Sequence, residues 1–216
     1  MAGRQAGEGR IFTITRCLSS TVRAMRWALA LLLVLLMTGC MSDSSSGTSR
    51  DELADLVLQK GDLPPVFELF DEGRQVRADL STGPRADPTR FGRVEGWKAR
   101  YRRSGTPRTS GPLVVESRVD LFDSSEGADD DLEAYKLDQE EAEGTRLLRV
   151  QKLGDEVFVA TLTQPGASSR VRFYLVVWRE DDVAASLSVN GFDRKLTLEH
   201  ALELARKQQR RIQASD

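Results

Sequence analysis

From residue 51 onward the apolar and polar positions follow two periods, one helical and one extended. Leu53, Leu56 and Val57 share one helical face within Arg50–Gln59, and Gly61 with Pro64-Pro65 close that helix. A stretch rich in Gly, Pro and Asp from 71 to 92 reads as a long loop. Two strands follow over 94–103 and 113–122, joined by Ser104–Pro107 and Ser110–Pro112 as a hairpin. Within them Trp97, Ala99 and Tyr101 alternate with Lys98, Arg100 and Arg102. Val115, Val119 and Leu121 likewise alternate with Glu116, Arg118 and Asp120. One face is thus apolar and the other carries opposite charges that can pair across strands, as expected for an antiparallel sheet.

Ser124 and Ser125 open a second helix as caps, with Asp129–Asp131 complementing its positive end and Leu132, Tyr135 and Ala142 facing inward. Four strands then span 146–152, 157–164, 170–179 and 183–190. The third carries Val171–Trp178, apolar on both faces, so it belongs at the centre of a sheet with Trp178 in the core. A last helix runs from its cap Thr197 to Ile212, with Leu198, Ala201, Leu202 and Ala205 inward and Lys207, Arg210 and Arg211 at its negative end. The predicted fold class is α+β: an antiparallel sheet of about six strands with helices packed against it.

The first forty residues have a different pattern. Arg4, Arg10, Arg16, Arg23 and Arg26 precede an uncharged run, Trp27–Met37. Its eleven residues are about half the ~20 that a membrane-spanning helix needs, yet they suit a signal-peptide core. Leu36-Met37-Thr38-Gly39-Cys40 resembles a lipobox, with cleavage between Gly39 and Cys40, although Met37 stands where the pattern has Leu, Val or Ile. An ordinary secretory signal is the alternative, and the Ser/Gly-rich tail 41–50 favours an anchored domain on a tether. Met25 is a second plausible start, because the chain from there is by itself a compact lipoprotein signal. The predicted organisation is residues 1–39 as signal peptide, 40–50 as lipidated Cys40 and tether, and 51–216 as one domain. Cys40 is then the sole cysteine of the mature chain and is consumed by lipid, which leaves no disulfide and no cysteine-ligated metal. Two or three acyl chains on one cysteine hold a protein durably on a bilayer, outside the cytoplasm.

At 40% hydrophobic and 30% charged residues the composition is that of an ordinary globular chain, so the domain needs no cross-links to bury a core. Removing residues 1–39 takes away five of 31 basic residues and one of 33 acidic ones, leaving a net charge of −6, which argues against nucleic acid as partner. The one basic stretch, Arg85, Arg90, Arg93, Lys98, Arg100, Arg102, Arg103 and Arg108, reads as a solvated strand face and loop; the alternative is a site for an anionic ligand or a phospholipid headgroup.

The chemistry of known sites is mostly absent. The single histidine, His200, sits in the first turn of the last helix and reads as a surface residue. There is no Gly-x-Ser-x-Gly elbow and no phosphate loop, and the acidic run 129–131 lacks the alternating ligands of a calcium loop. No catalytic residue, metal site or cofactor is expected.

Gly61-Asp-Leu-Pro64, Gly96-Trp97, Val119-Asp-Leu-Phe122 with Gly127-Ala128, Leu153-Gly-Asp-Glu156 and Trp178-Arg179 resemble segments of a group of uncharacterised lipoproteins of high-GC Gram-positive bacteria. They are distantly similar to the extracytoplasmic sensor-type domains of actinobacterial kinases. The resemblance implies fold and location, and Cys40 is the sole functional residue it carries over. The expected function is a membrane-anchored, non-catalytic binding or sensing module of the cell envelope, with partners in the membrane through Cys40 and in an envelope protein or polymer. Its binding surface is expected around Trp97 and Tyr101. The alternatives are a carrier with an apolar cavity rimmed by Trp97, Tyr101, Tyr174 or Trp178, and a cryptic hydrolase with converging acids.

Overall fold

A computed structural model describes residues 52–75, 87–167 and 169–215. The signal segment 1–39 with Met25 and Gly39, the lipidation residue Cys40, the tether 41–50 and Arg85 lie outside the described residues. The architecture is α+β: seven strands form one sheet in which every neighbouring pair is antiparallel. They are β1 (Glu68–Arg74), β2 (Arg93–Arg102), β3 (Val114–Phe122), β4 (Arg146–Leu148), β5 (Glu156–Gln164), β6 (Val171–Glu180) and β7 (Val183–Phe192), in the order β1-β2-β3-β7-β6-β5-β4. Helices α1 (Leu53–Leu56), α2 (Ser125–Glu141) and α3 (Leu198–Gln213) accompany the sheet.

Strand β1 is the seventh strand and departs from the sequence reading, which placed part of it in a loop. Glu68-Leu-Phe-Asp-Glu-Gly-Arg74 has no apolar alternation because an edge strand buries neither face deeply; its pairing with β2 (Arg74 opposite Trp97, Glu68 opposite Arg102) supplies the order instead. A second departure is the first helix, reduced to one turn at Leu53–Leu56 before Val57 turns extended, though Leu53, Leu56 and Val57 are all buried as expected. The strand expected over 146–152 stops at Leu148, and Val150 and Leu153 pack against the core without a strand partner.

The hairpin β2–β3 and the central β6 follow the predicted sense. Trp97, Ala99 and Tyr101 oppose Val119, Ser117 and Val115, and Arg100 opposes Glu116. Tyr174, Val176 and Trp178 of β6 enter the core beneath α3, while Val177 and Leu175 join Leu132 and Tyr135 of α2 on the other face. Helix α3 begins at its predicted cap Thr197 and buries Ala201, Leu204, Ala205 and Ile212. Burying a side chain the size of Leu204 or Ile212 contributes roughly 1.5–3 kcal/mol, and the alanines less.

The closed face also holds a polar network. Ser117 Oγ accepts from the Leu58 amide (2.9 Å) and donates to Gln208 Oε1 (2.8 Å). Gln208 Nε2 in turn donates to the Arg118 carbonyl (2.9 Å), and Tyr101 donates its hydroxyl to the Leu58 carbonyl (2.8 Å). Trp178 Nε1 donates to Gln209 Oε1. Arg211 pairs with Asp62 (2.7 Å), so this cation tethers α3 to the segment after α1 in addition to suiting the helix end. Every buried polar atom in this network has a partner, which is the condition for polar groups inside a core.

Candidate ligand cleft

Helix α2 starts where Ser124 Oγ accepts from the Gly127 amide (3.2 Å), as its sequence predicts. Gly127 is required by contact rather than conformation, because a Cβ there would lie 2.0 Å from the Phe91 carbonyl oxygen. The buried positions of α2 are Gly127, Ala128, Asp131, Leu132 and Ala134, all in its first ten residues. Tyr135 packs edge-on against Phe158, with ring centroids 5.9 Å apart. Beyond it the helix has no apolar stripe, and Ala142, expected inward, is exposed past the helix end. The acidic run also serves another purpose than expected: the first-turn acid is Glu126, whereas Asp129 reaches Arg179 (3.3 Å) and Asp131 is buried.

Because α2 covers only part of its sheet face, a cleft of about 360 Å³ opens beside Tyr135 and Gln139, floored by β3, β7, β6 and β5. Register explains its character. One row runs across the sheet as Asp71, Arg100, Glu116, Ser188, Leu175, Ala160 and Leu147, passing from charge through a hydroxyl to apolar carbon. In the charged half, Lys98 (3.1 Å) and Arg100 (3.0 Å) share Asp71, while Arg100 and Arg118 both donate to Glu116. Positive and negative side chains alternate along this ladder, which fixes Arg118 at the cleft wall. In the other half Leu162, Phe173 and Leu175 provide an apolar floor, with Ser186 and Ser188 between the two.

Glu116 is the one acid lining the cleft, and the lining holds no histidine, lysine or cysteine. Among the described residues no cluster of three His, Cys, Asp or Glu side chains is placed to hold a metal. The arrangement offers hydroxyl and amide hydrogen bonds, one guanidinium–carboxylate pair and an apolar surface, a set suited to holding an amphipathic molecule.

No protein-family model matches the chain, and no curated protein matches it. Among solved structures it is similar to the crystal structure of the extracellular domain of PknH from Mycobacterium tuberculosis. The TM-score is 0.57 at 13% identity, over 78% of this chain and 98% of that one. The two share a fold.

The residues singled out from sequence fall elsewhere. Tyr101 is a correction: it is 1% exposed and bonded to Leu58, so it forms no surface, because the apolar face of β2 is roofed by the chain from Leu53 to Phe67. Trp97 is half-buried against the same core. Tyr174 and Trp178 are also packed inside, so these rings rim no cavity of the kind the carrier reading required. His200 is the third residue of α3, where its Nδ1 accepts from the Thr197 amide (3.1 Å) and closes the helix start.

The basic stretch divides. Arg93 pairs with Asp120, and Lys98 and Arg100 join the ladder, whereas Arg102 and Arg103 lie over the rings of Phe70 (5.3 Å) and Phe67 (5.1 Å). The cleft residues were not anticipated. Their signal was present in β7, where Ala184, Ser186 and Ser188 line one face with small side chains while Val183, Ala185, Leu187 and Val189 fill the other.

Proposed function

We propose that this chain is a lipid-anchored, extracytoplasmic binding or sensing module of the cell envelope, without catalytic activity, and that its ligand occupies the cleft between α2 and the sheet. The observation that carries the reading is the row from the Arg100–Glu116 pair through Ser188 to Leu175, set in a cleft of about 360 Å³. That size is within the range of small-molecule sites, and the lining holds one acid, Glu116, with no histidine, lysine or cysteine beside it to act as its proton-transfer partner. The ligand chemistry that fits is an amphipathic small molecule or the end of an envelope polymer, with its polar end at Arg118 and Ser186 and its apolar part on Phe173 and Leu175. Likeness of fold to a domain described as extracellular supports the location, and the Leu36–Cys40 sequence supports anchoring through acyl chains on Cys40 after cleavage at Gly39.

Native mass spectrometry of the chain extracted from its own membranes tests both parts. The intact mass should equal that of a chain beginning at acylated Cys40, and a Cys40→Ala variant should lose the acyl mass. A second, co-purifying mass should disappear in Ser188→Trp, which fills the cleft, while the melting temperature stays unchanged. Retention of that mass in Ser188→Trp would overturn the cleft as the site.

A further inference from the structure

Three of the five large hydrophobic side chains that are exposed among the described residues fall within one short run: Val66 (60%), Leu69 (45%) and Phe70 (45%). Pro64 and Pro65 beside them are also exposed, and Glu68 is the one charged residue between Leu63 and Phe70. This run leads into β1, the edge strand of the sheet among the described residues. Behind it stand Arg102 and Arg103, whose guanidinium groups lie over Phe70 and Phe67; Arg103 Nε also donates to the Pro112 carbonyl (2.7 Å). The other cations of β2 are held by carboxylates, but among the described residues neither Arg102 nor Arg103 makes an ion pair, and exposed Arg108 adds a third positive charge.

An open edge with exposed apolar side chains usually invites another strand, and this one is blunted. Pro64 and Pro65 have no N–H to donate, and a register shift between Leu69 and Asp71 breaks the ladder. What remains is an apolar ridge backed by two arginines that make no ion pair among the described residues, with Glu68, opposite Arg102, as the one acid beside them, a net-positive composition that seats in the headgroup layer of an anionic bilayer. The bilayer is also within reach. Twelve residues lead from Cys40 to Glu52, and an extended chain of that length spans at most about 40 Å.

We propose that Pro64–Phe70 with Arg102 and Arg103 is a membrane-contact surface that lies on the anionic headgroups of the bilayer holding Cys40. The inference rests on the anchored reading above for its choice of partner. Contact at β1 puts β4, at the other end of the sheet order, on the side away from the lipid, and leaves the cleft beside α2 open to the envelope.

Hydroxyl-radical footprinting of the full processed chain tests this, with phosphatidylcholine vesicles compared against vesicles that also contain phosphatidylglycerol. Oxidation of Phe70, normalised to exposed Leu137 on α2, is expected to fall about fivefold in the anionic vesicles and to recover at high salt, as screening of arginine contacts requires. Arg102→Gln, an exposed position that leaves folding intact by its melting curve, should remove most of that protection. Equal Phe70 oxidation in both vesicles overturns the proposal. So does protection that appears in detergent and grows with protein concentration, which would identify a second copy as the occupant. Intact mass of the same sample reports acylation at Cys40 separately. An unacylated chain added to the vesicles still shows protection at Phe70 if the surface is right, and none if it is wrong.

Discussion

The two faces of the sheet are built from the same strands and end in opposite states. On one face α3 and the chain from Leu53 to Phe67 bring Leu53, Leu56, Phe67, Leu204 and Ile212 onto Tyr101, Val119, Val176, Trp178 and Leu187, and Ser117, Tyr101, Trp178, Gln208 and Gln209 among them are satisfied by side-chain or backbone partners. On the other face α2 offers Leu132 and Ala128 and little beyond Tyr135, so cover ends midway and the sheet continues as serines and ion pairs. A helix with a full apolar stripe seals its face; one whose stripe lasts a few turns leaves a cleft. Difference in helix length is not the cause, since α2 has 17 residues and α3 has 16.

The contrast breaks most readily at Trp178, fully buried beneath α3 and bonded to Gln209. Trp178→Ala should cost about 3–5 kcal/mol in denaturant unfolding, and a loss of under about 1 kcal/mol would mean that the closed face is not close-packed. A paired measurement sharpens the comparison. Leu187 of β7 is fully buried on the closed face, whereas Leu175 of β6 lines the cleft. Leu187→Ala should cost about 2–5 kcal/mol and Leu175→Ala about 1 kcal/mol, because a side chain already facing an opening leaves no sealed cavity.

Tyr101→Phe removes the hydrogen bond to Leu58 and should cost about 1–2 kcal/mol near neutral pH. It also has a pH signature. Burial first, then the carboxylates of Glu72 and Asp62, push the Tyr101 hydroxyl from 10.0 up to about 12, with Arg211 opposing. The protonated form is therefore favoured in the folded chain, so this contribution is complete below pH 10 and is lost as pH rises through about 12. Unfolding curves of the wild type should weaken over that window, and those of Tyr101→Phe should weaken less. The smallest effect belongs to the open face. Glu116→Gln removes the carboxylate shared by Arg100 and Arg118, and its cost should be about 0–1 kcal/mol and shrink in high salt, since these side chains are partly exposed. A larger, salt-independent loss would place the ladder in the core.

Much of the closed face was legible along the chain. Val171–Trp178 is apolar on both faces at every position but Arg172, a pattern that fits a central strand, and the structure places it between β5 and β7. The alternation in β2 and β3 foretold which residues enter the core. Ser124 and Thr197 marked helix starts because a cap is a local property of a few neighbouring residues. Tyr101 was misjudged for the opposite reason. Its strand position is compatible with a solvated or a roofed face, and the roof comes from Leu53–Phe67, more than thirty residues earlier.

By itself the sequence determined the class, the three α-helices and six of the seven strands found among the described residues, and the apolar face of the hairpin, because hydrophobic period records the average surroundings of each side chain. The proposal of an anchor at Cys40 likewise comes from the sequence alone, because the resemblance of Leu36–Cys40 to a lipobox is read as a linear string. Tertiary structure alone decided that Glu68–Arg74 is a strand, that Gln208 and Gln209 belong inside, and that Glu116, Arg118, Ser186 and Ser188 meet in one cleft. Each of these depends on a partner distant in sequence: β2 for the edge strand, Ser117 and Trp178 for the glutamines, and register across four strands for the cleft. Local pattern tells a residue's preference for water or core, and long-range pairing chooses which neighbour satisfies it.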